Sequence, residues 1–415
     1  MDLPVTPTTT TPFAGWRVVR AAFIVAVFGW GVGFYGPPVF LFAVHEARGW
    51  PIPLVSAAVT CHFLLGALVV GNLPRIHRRF GVAGVTRLGG VLSGVGVLGW
   101  ALADAPWQLF VATAVSGAGW AMTGAAAINA IVAPWFVRRR PAALSAAYNG
   151  ASVGGVVLSP LWVSLIAGFG FPVAAGAIGF AMAAALWWLA ARHLAADPAA
   201  LGQFPDGDAA LPPVAVRANQ DAAPLRSPWA ERRFGTLALG ASIGLFAQVG
   251  LIAHLLSMLV APLGATLAGI VAGLMTVCAI VGRTGMGWLL RPGVDRRIAA
   301  AGNYGVQLLG SLLMLAGGAD GVAWLLAGIA LFGLGLGNAT SLPPLIAQAD
   351  FTPADTARVV ALITAIGQAG YAFAPAGFGL LRAVDPALIF ILAAGLQGLA
   401  AVVLLAGRRR TTSGP

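Results

Sequence analysis

Residues 53–103 read PLVSAAVTCHFLLGALVVGNLPRIHRRFGVAGVTRLGGVLSGVGVLGWALA. Two apolar runs, 53–73 and 82–103, flank a short stretch that carries Arg75, Arg78 and Arg79. A helix rises about 1.5 Å per residue, so roughly 20 apolar residues cross a hydrocarbon core of ~30 Å. Both runs are long enough, and a basic stretch between them suits the cytoplasmic face of a bilayer. Neither run alternates polar with apolar as a barrel strand does, so both read as helices.

The same reading extends along the chain. Apolar spans are expected at roughly 19–43, 53–73, 82–103, 107–133, 141–167, 171–193, 235–261, 265–290, 297–317, 321–346, 356–381 and 386–407. All 24 basic residues are arginine. With the first short loop assigned outside, only Arg48 and Arg382 fall on the outer side, and Arg283 alone lies within a span. The others, Arg87 among them, fall on inner connections or termini. A missed or invented helix would scramble that asymmetry. The expected fold is therefore an all-α polytopic membrane protein with twelve transmembrane helices and both termini cytoplasmic.

Composition agrees. The chain is 59% hydrophobic and only 9% charged, against about 25% charged for a soluble domain. Its net charge of +11 reflects arginines that orient helices and meet membrane lipids, not a nucleic-acid surface. Cys61 and Cys278 lie in apolar spans and read as small fillers. No metal-ligand spacing and no phosphate-cradling loop is present, so neither metal nor cofactor is expected. The first span reads as an uncleaved insertion signal. The absence of lysine and the excess of Ala, Gly and Arg point to a bacterial inner membrane.

The stretch 194–233 differs in kind. It contains Asp197, Asp206, Asp208 and Asp221 together with Pro198, Pro205 and Pro228, and reads as a flexible cytoplasmic linker. It divides an N-terminal six-helix bundle, 1–193, from a C-terminal one, 234–415. The halves echo each other. Gly117, Gly119, Trp135-Phe136, Arg138 to Arg140, Gly150, Gly154 and Pro160 correspond in order to Gly333, Gly335, Gly337, Phe351, Arg358, Gly367, Gly370 and Pro375. Two duplicated bundles are a transporter plan, with ligand bound between them near the midplane.

All 13 acidic residues fall in loops, termini or span ends. That excludes a mid-membrane carboxylate relay and paired-carboxylate hydrolysis, and the chain is not expected to be an enzyme. Arg283 then needs a partner. It lies eight residues before Arg291, about 12 Å inside the membrane, where an arginine costs roughly 2.5–3.5 kcal/mol. One reading is a clamp for a carboxylate, which a guanidinium binds through two parallel hydrogen bonds. The other is a structural arginine bonded to helix carbonyls. Asn129, Asn149 and Gln368 reach similar depth, and Tyr371 shares a face with Gln368. These read as cavity-lining groups or as interhelical hydrogen bonds. His254 reads as a titrating group or as a neutral histidine bonded to a neighbouring helix.

The motif Trp135-Phe136-Val137-Arg138-Arg139-Arg140, leading into Ala143-Leu144-Ser145 and Gly150-x-x-x-Gly154, resembles the fifth-helix start of the major facilitator superfamily's monocarboxylate and oxalate/formate branch. Gly15-Trp16, Gly49-Trp50-Pro51 and Val55-Ser56 are similar to the same branch. Arg283 matches the position of its substrate-engaging arginine. The resemblance implies gating loops at Arg78, Arg79 and Gly81 in the first half and at Asp295 and Arg296 in the second. The family's Asp-Arg pair is altered in the first loop, where Arg78 stands at the expected Asp. The acid one turn before the helix 8 arginine in animal carriers is Ala279 here.

The expected function is secondary active transport by alternating access, most simply of a small organic anion such as a monocarboxylate, by a monomer. Proton coupling would need His254 or a proton carried on the substrate. The alternative is an exporter of neutral or amphipathic compounds.

Overall fold

The computed structural model describes residues 12–208, 227–290, 294–318 and 321–408. Arg217, Arg226, Arg291, Arg409, Arg410, Asp221 and Asp320 lie outside them, as does most of the expected linker. Seven helices precede the linker: α1 (Gly15–Gly33), α2 (Gly36–Arg48), α3 (Ile52–Leu102), α4 (Pro106–Thr123), α5 (Ala125–Val132), α6 (Arg140–Phe169) and α7 (Phe171–His193). Seven follow it: α8 (Arg232–Leu289), α9 (Arg296–Gly317), α10 (Val322–Leu336), α11 (Asn338–Asp350), α12 (Pro353–Tyr371), α13 (Ala374–Val384) and α14 (Leu388–Ala406).

Among the described residues, ten helical stretches are long and apolar enough to cross a membrane. Two of them, α3 and α8, are 51 and 58 residues long, well over twice the ~30 Å core at about 1.5 Å per residue. Each turns at one glycine with positive φ: Gly81 (φ 68°, ψ 165°) and Gly264 (φ 76°, ψ 160°). Nothing would obstruct a Cβ at either site, so backbone conformation alone demands glycine there. The chain doubles back at Gly81, since Gly117 and Gly119 of α4 abut His62 and Ser93 from the two arms of α3. The helix runs through Pro74, Arg78 and Arg79 before it turns, where the sequence reading has a loop. The hinge is a single residue because the preceding turn keeps its backbone hydrogen bonds.

Other expected spans are broken in the middle. The chain leaves helix between α1 and α2, at Gly124 between α4 and α5, and at 372–373 between α12 and α13; α10 meets α11 at Gly337. Gly124 and Gly337 occupy equivalent helices of the two groups. In hydrocarbon such interruptions persist only where neighbouring helices take up the freed backbone groups.

Helices α1–α7 pack on one another, and α8–α14 do likewise. Close approach of backbones achieves much of this. A Cβ at Gly150 or Gly154 would enter the van der Waals shell of the Phe23 or Val27 carbonyl oxygen of α1, as small-residue packing in membranes requires. The two chain ends described, Pro12 and Arg408, lie at the same end of the molecule, here termed the terminal end. At the opposite, far end Arg48 pairs with Asp104 at 2.7 Å.

The start of the expected linker is not loose. Asp206 (φ 63°) accepts the backbone N–H groups of Val137 (3.2 Å), Arg138 (2.8 Å) and Arg139 (3.1 Å), and Asp208 pairs with Arg138 at 2.6 Å. Burial pushes the Asp206 carboxyl up, but those N–H groups and the Arg138 guanidinium outweigh it and hold the carboxyl below its ordinary range. Gln203 accepts from the Ala14 N–H at 2.9 Å. Residues up to 208 are thereby clasped to the first group.

Gly150→Val should destabilise the protein by about 1–3 kcal/mol, because the Phe23 backbone cannot yield. Gly176 of α7 has nothing within 4 Å of an added Cβ, so Gly176→Ala should leave stability unchanged or slightly higher. Thermal unfolding of both variants in one detergent checks the contrast.

Candidate functional site

The two groups of helices touch toward the far end. There the Ala376 N–H, one of the orphan donors at the start of α13, donates to Thr60 Oγ1 at 3.1 Å. Gly379 of α13 lies against Ser56, and Phe63 meets Tyr371 edge to face at 5.8 Å. Helices α6 and α8 meet where Gly269 faces Val163 and Gly273 faces the Val156 carbonyl and Pro160. A void of about 20 Å³ remains between the groups, lined by Val39, Ser159, Ile252 and Met275 among others, with room for about one water.

Nearer the middle, Tyr35 and Thr276 sit together across the interface. Gly155 lies against both, and a Cβ there would be 2.7 Å from the Tyr35 ring and 2.8 Å from Thr276 Oγ1. Toward the terminal end the groups part. Helix α5 packs broadly on α1, α3, α4 and α6, and α11 on α8, α9, α10 and α12, each within its own group. Among the described residues neither α5 nor α11 packs broadly on the other group.

Arg283 lies on α8, on the terminal side of Thr276 and within electrostatic reach of Tyr35. Its Nε donates to the Gly337 carbonyl at 3.2 Å. That carbonyl sits at the junction of α10 with α11 and also accepts from Thr340 (3.4 Å) and Ser341 (3.3 Å). Asn338 Nδ2 braces the neighbouring backbone, donating to Asn303 Oδ1 (2.9 Å) and the Gly282 carbonyl (3.3 Å). Among the described residues Arg283 has no ion pair, and its Nη1 and Nη2 make no hydrogen bond. The two sequence readings of Arg283 thus meet in one side chain: Nε ties down helix backbone, while the Nη edge has no protein partner.

The remaining sequence candidates separate. Asn149 lies on the α6 face that carries Val156, seven residues on, toward α8. It is exposed and without a hydrogen bond to described residues, as is Asn129 on α5. Gln368 and Tyr371 lie one turn apart on α12. Tyr371 also ends a chain of ring contacts that crosses the interface from Tyr148 through Trp30, Trp120, Phe34 and Phe63. His254 does not join this set. It is fully buried; its Nε2 donates to the Pro375 carbonyl at 2.9 Å, so Nδ1 is the acceptor facing Arg382 Nη1 at 3.4 Å. Arg382 also donates to Ser257. The interhelical reading of His254 describes this geometry.

The residues assigned to gating loops do not meet across the groups. Arg78 and Arg79 are exposed on helix, with Arg79 over the Phe80 ring at 5.3 Å. Asp295 caps α9 by accepting the N–H groups of Arg297 (2.8 Å) and Ile298 (3.3 Å) and pairs with Arg408 at 2.7 Å. Arg296 donates to the Leu345 carbonyl. Buried Arg297 binds Asp350 (2.8 Å), the Arg233 carbonyl (2.8 Å) and the Leu404 carbonyl (3.0 Å), tying the terminal ends of the second group together.

Sequence reasoning missed Tyr35, Thr276, Thr60 and Arg382. Tyr35 carried a legible signal, since Phe34-Tyr35-Gly36-Pro37-Pro38 interrupts an apolar span. Thr60 and Thr276 carried none, because a lone threonine in a span also bonds its own helix.

Comparison with known proteins bears on this arrangement. The chain matches the Major Facilitator Superfamily over residues 21–375. No curated protein matches it in sequence. Its fold is similar to that of the nucleoside transporter NupG, in a mutant form, with TM-score 0.71 and 11% identity over 94% of this chain and 100% of that one. It is similar to a bacterial homologue of the human lysosomal transporter Spinster in an inward-facing, occupied conformation, with TM-score 0.67 and 15% identity over 97% and 100%. It is also similar to a mutant of the peptide transporter POT, with TM-score 0.69 and 15% identity over 95% and 98%. At those identities the likeness concerns the fold, and the match along most of the chain settles membership: this protein belongs to the Major Facilitator Superfamily and is a transporter rather than an enzyme.

Proposed function

We propose that the chain is a secondary transporter of a small organic anion, a monocarboxylate in the simplest case, working by alternating access as a monomer in a bacterial inner membrane. In this reading residues 1–193 and 234–415 are two six-span bundles joined by 194–233, and α3 and α8 each cross twice. Both termini face the cytoplasm, so the structure is the inward-open form.

The observation that carries the reading is the state of Arg283. A guanidinium is costly at depth in hydrocarbon, and no acidic side chain among the described residues pairs with it. Its Nε is held by the Gly337 carbonyl, which aims the group while leaving Nη1 and Nη2 free for two carboxylate oxygens. Asn149, Gln368, Tyr371 and Asn129 are assigned the orienting hydrogen bonds to the rest of the substrate. Tyr35, on the opposite bundle, is the group through which an anion at Arg283 draws the bundles together. A ligand shifts the inward–outward equilibrium only through such differential contacts. His254, engaged at both ring nitrogens, is not a proton carrier in this reading; any coupled proton travels with the substrate.

The ring chain from Tyr148 to Tyr371 favours the second reading, an exporter of neutral or amphipathic compounds, because an aromatic wall binds apolar cargo without a counter-charge.

Uptake into proteoliposomes distinguishes the two. Arg283→Lys, which keeps the charge but loses the planar fork, should raise KM for the carboxylate on the order of tenfold or more, and Arg283→Ala should abolish uptake. Unchanged carboxylate uptake in both correctly inserted variants would exclude Arg283 from the mechanism. With Cys61 and Cys278 replaced, cysteines at Asn149 and Asn129 should react with a membrane-impermeant thiol reagent from the cytoplasmic side. Cysteines at Ser56 and Thr60 should stay protected from the outside until the carrier turns outward.

A further inference from the structure

Helix α7 presents Val173, Phe180 and Trp187 to the exterior, and the second arm of α3 presents Leu88, Val95 and Leu102. Both sets recur every seven residues, so each forms a stripe along one face of its helix. Phe180 is 76% exposed and Val95 59%. The two helices pack directly on each other, with Gly94 against Gly179 and Gly90 against Leu186. These paired stripes are a hydrocarbon-facing surface with a seam between them.

One charged side chain interrupts the seam. Arg87 lies six residues beyond the Gly81 turn, about 9 Å in from the terminal end of its helix. Its guanidinium carbon stands 5.3 Å from the centre of the Trp187 ring. Its Nε is buried without a hydrogen-bond partner, and it makes no ion pair among the described residues. One turn nearer the terminal end, Gly84 has only a Phe80 side-chain carbon, at 3.5 Å, near the position of an added Cβ. That position beside Arg87 is therefore open.

We infer that Arg87 and Trp187 form a binding site for the phosphate headgroup of an anionic membrane lipid, with an acyl chain laid along the Phe180 and Val95 stripes. A cation stacked on an aromatic face but lacking a counter-ion is completed by an anion from outside the protein. The ligand is a lipid and not a soluble phosphate because the cation opens onto apolar stripes. Each heptad step spans about 10 Å, so one acyl chain covers the stretch from Trp187 to Val173. This site is on the outer surface of the first bundle and does not depend on the substrate assigned to Arg283.

The test uses purified full-length protein with phosphatidylglycerol or phosphatidylcholine, bound lipid being counted by native mass spectrometry, with inorganic phosphate as competitor. Phosphatidylglycerol should be retained in preference to phosphatidylcholine and withstand inorganic phosphate. Arg87→Gln should weaken that retention about fivefold or more, whereas Arg75→Gln, a change of equal charge elsewhere on that face, should not. Equal retention of the two lipids, displacement by phosphate, or equal losses in the Arg75 and Arg87 variants would each overturn the assignment. Thermal unfolding establishes that Arg87→Gln is folded; if it is not, Trp187→Leu takes its place, and retention equal to that of the unaltered protein counts against the site.

Discussion

A bilayer interior offers backbone groups no water, so each interruption of a helix leaves donors and acceptors that other side chains must satisfy. Much of the centre of this molecule is arranged around that constraint. The Gly33 carbonyl, at the end of α1, bonds His62 at 2.9 Å, and the Ala376 N–H, at the start of α13, finds Thr60. The Ala125, Gly337 and Pro375 carbonyls, at helix starts, accept Tyr148, Arg283 and His254 as second donors beside their helical N–H partners.

These bonds differ in what a change of conformation does to them. His62, Tyr148, Arg283 and His254 each bond backbone within their own group of helices, so rocking one group against the other leaves them intact. The Thr60–Ala376 bond and the Tyr35–Thr276 pair cross between groups and must break when the far end opens. A satisfied donor at the α13 N-terminus then becomes an orphan, a cost of roughly 1–3 kcal/mol if it stays buried. Water entering the opened far side offsets that cost. The arrangement suits a molecule with two states of similar free energy, because among the described residues few polar bonds cross the interface.

Long-range charge follows a different rule. Arg297 is buried yet fully engaged with Asp350 and three other acceptors, which makes it a fastening. Arg283 and Arg87 are incompletely engaged. A partly satisfied guanidinium in a low-dielectric setting favours any anion that reaches it, and the two residues lie in different places, one beside the α10–α11 junction and the other on the outer apolar surface.

Much of the architecture was legible in the chain because hydrocarbon enforces simple patterns. The long apolar runs that become membrane-spanning helices follow from transfer free energies that each segment carries by itself. Arg283 stands out in the sequence for the same reason, since an isolated charge at depth is costly wherever the helix goes. What the fold decided was pairing. That Arg283 would spend Nε on Gly337, that His254 would close on Pro375 and Arg382, and that Arg78 and Arg79 would stay on helix all depend on which backbone groups a neighbouring helix leaves free. The positions of Tyr35 and Thr276 across the interface, and of Arg87 over Trp187, arise from contacts between residues far apart in the chain. Local composition sets how deep a side chain lies; only packed helices determine what it touches there.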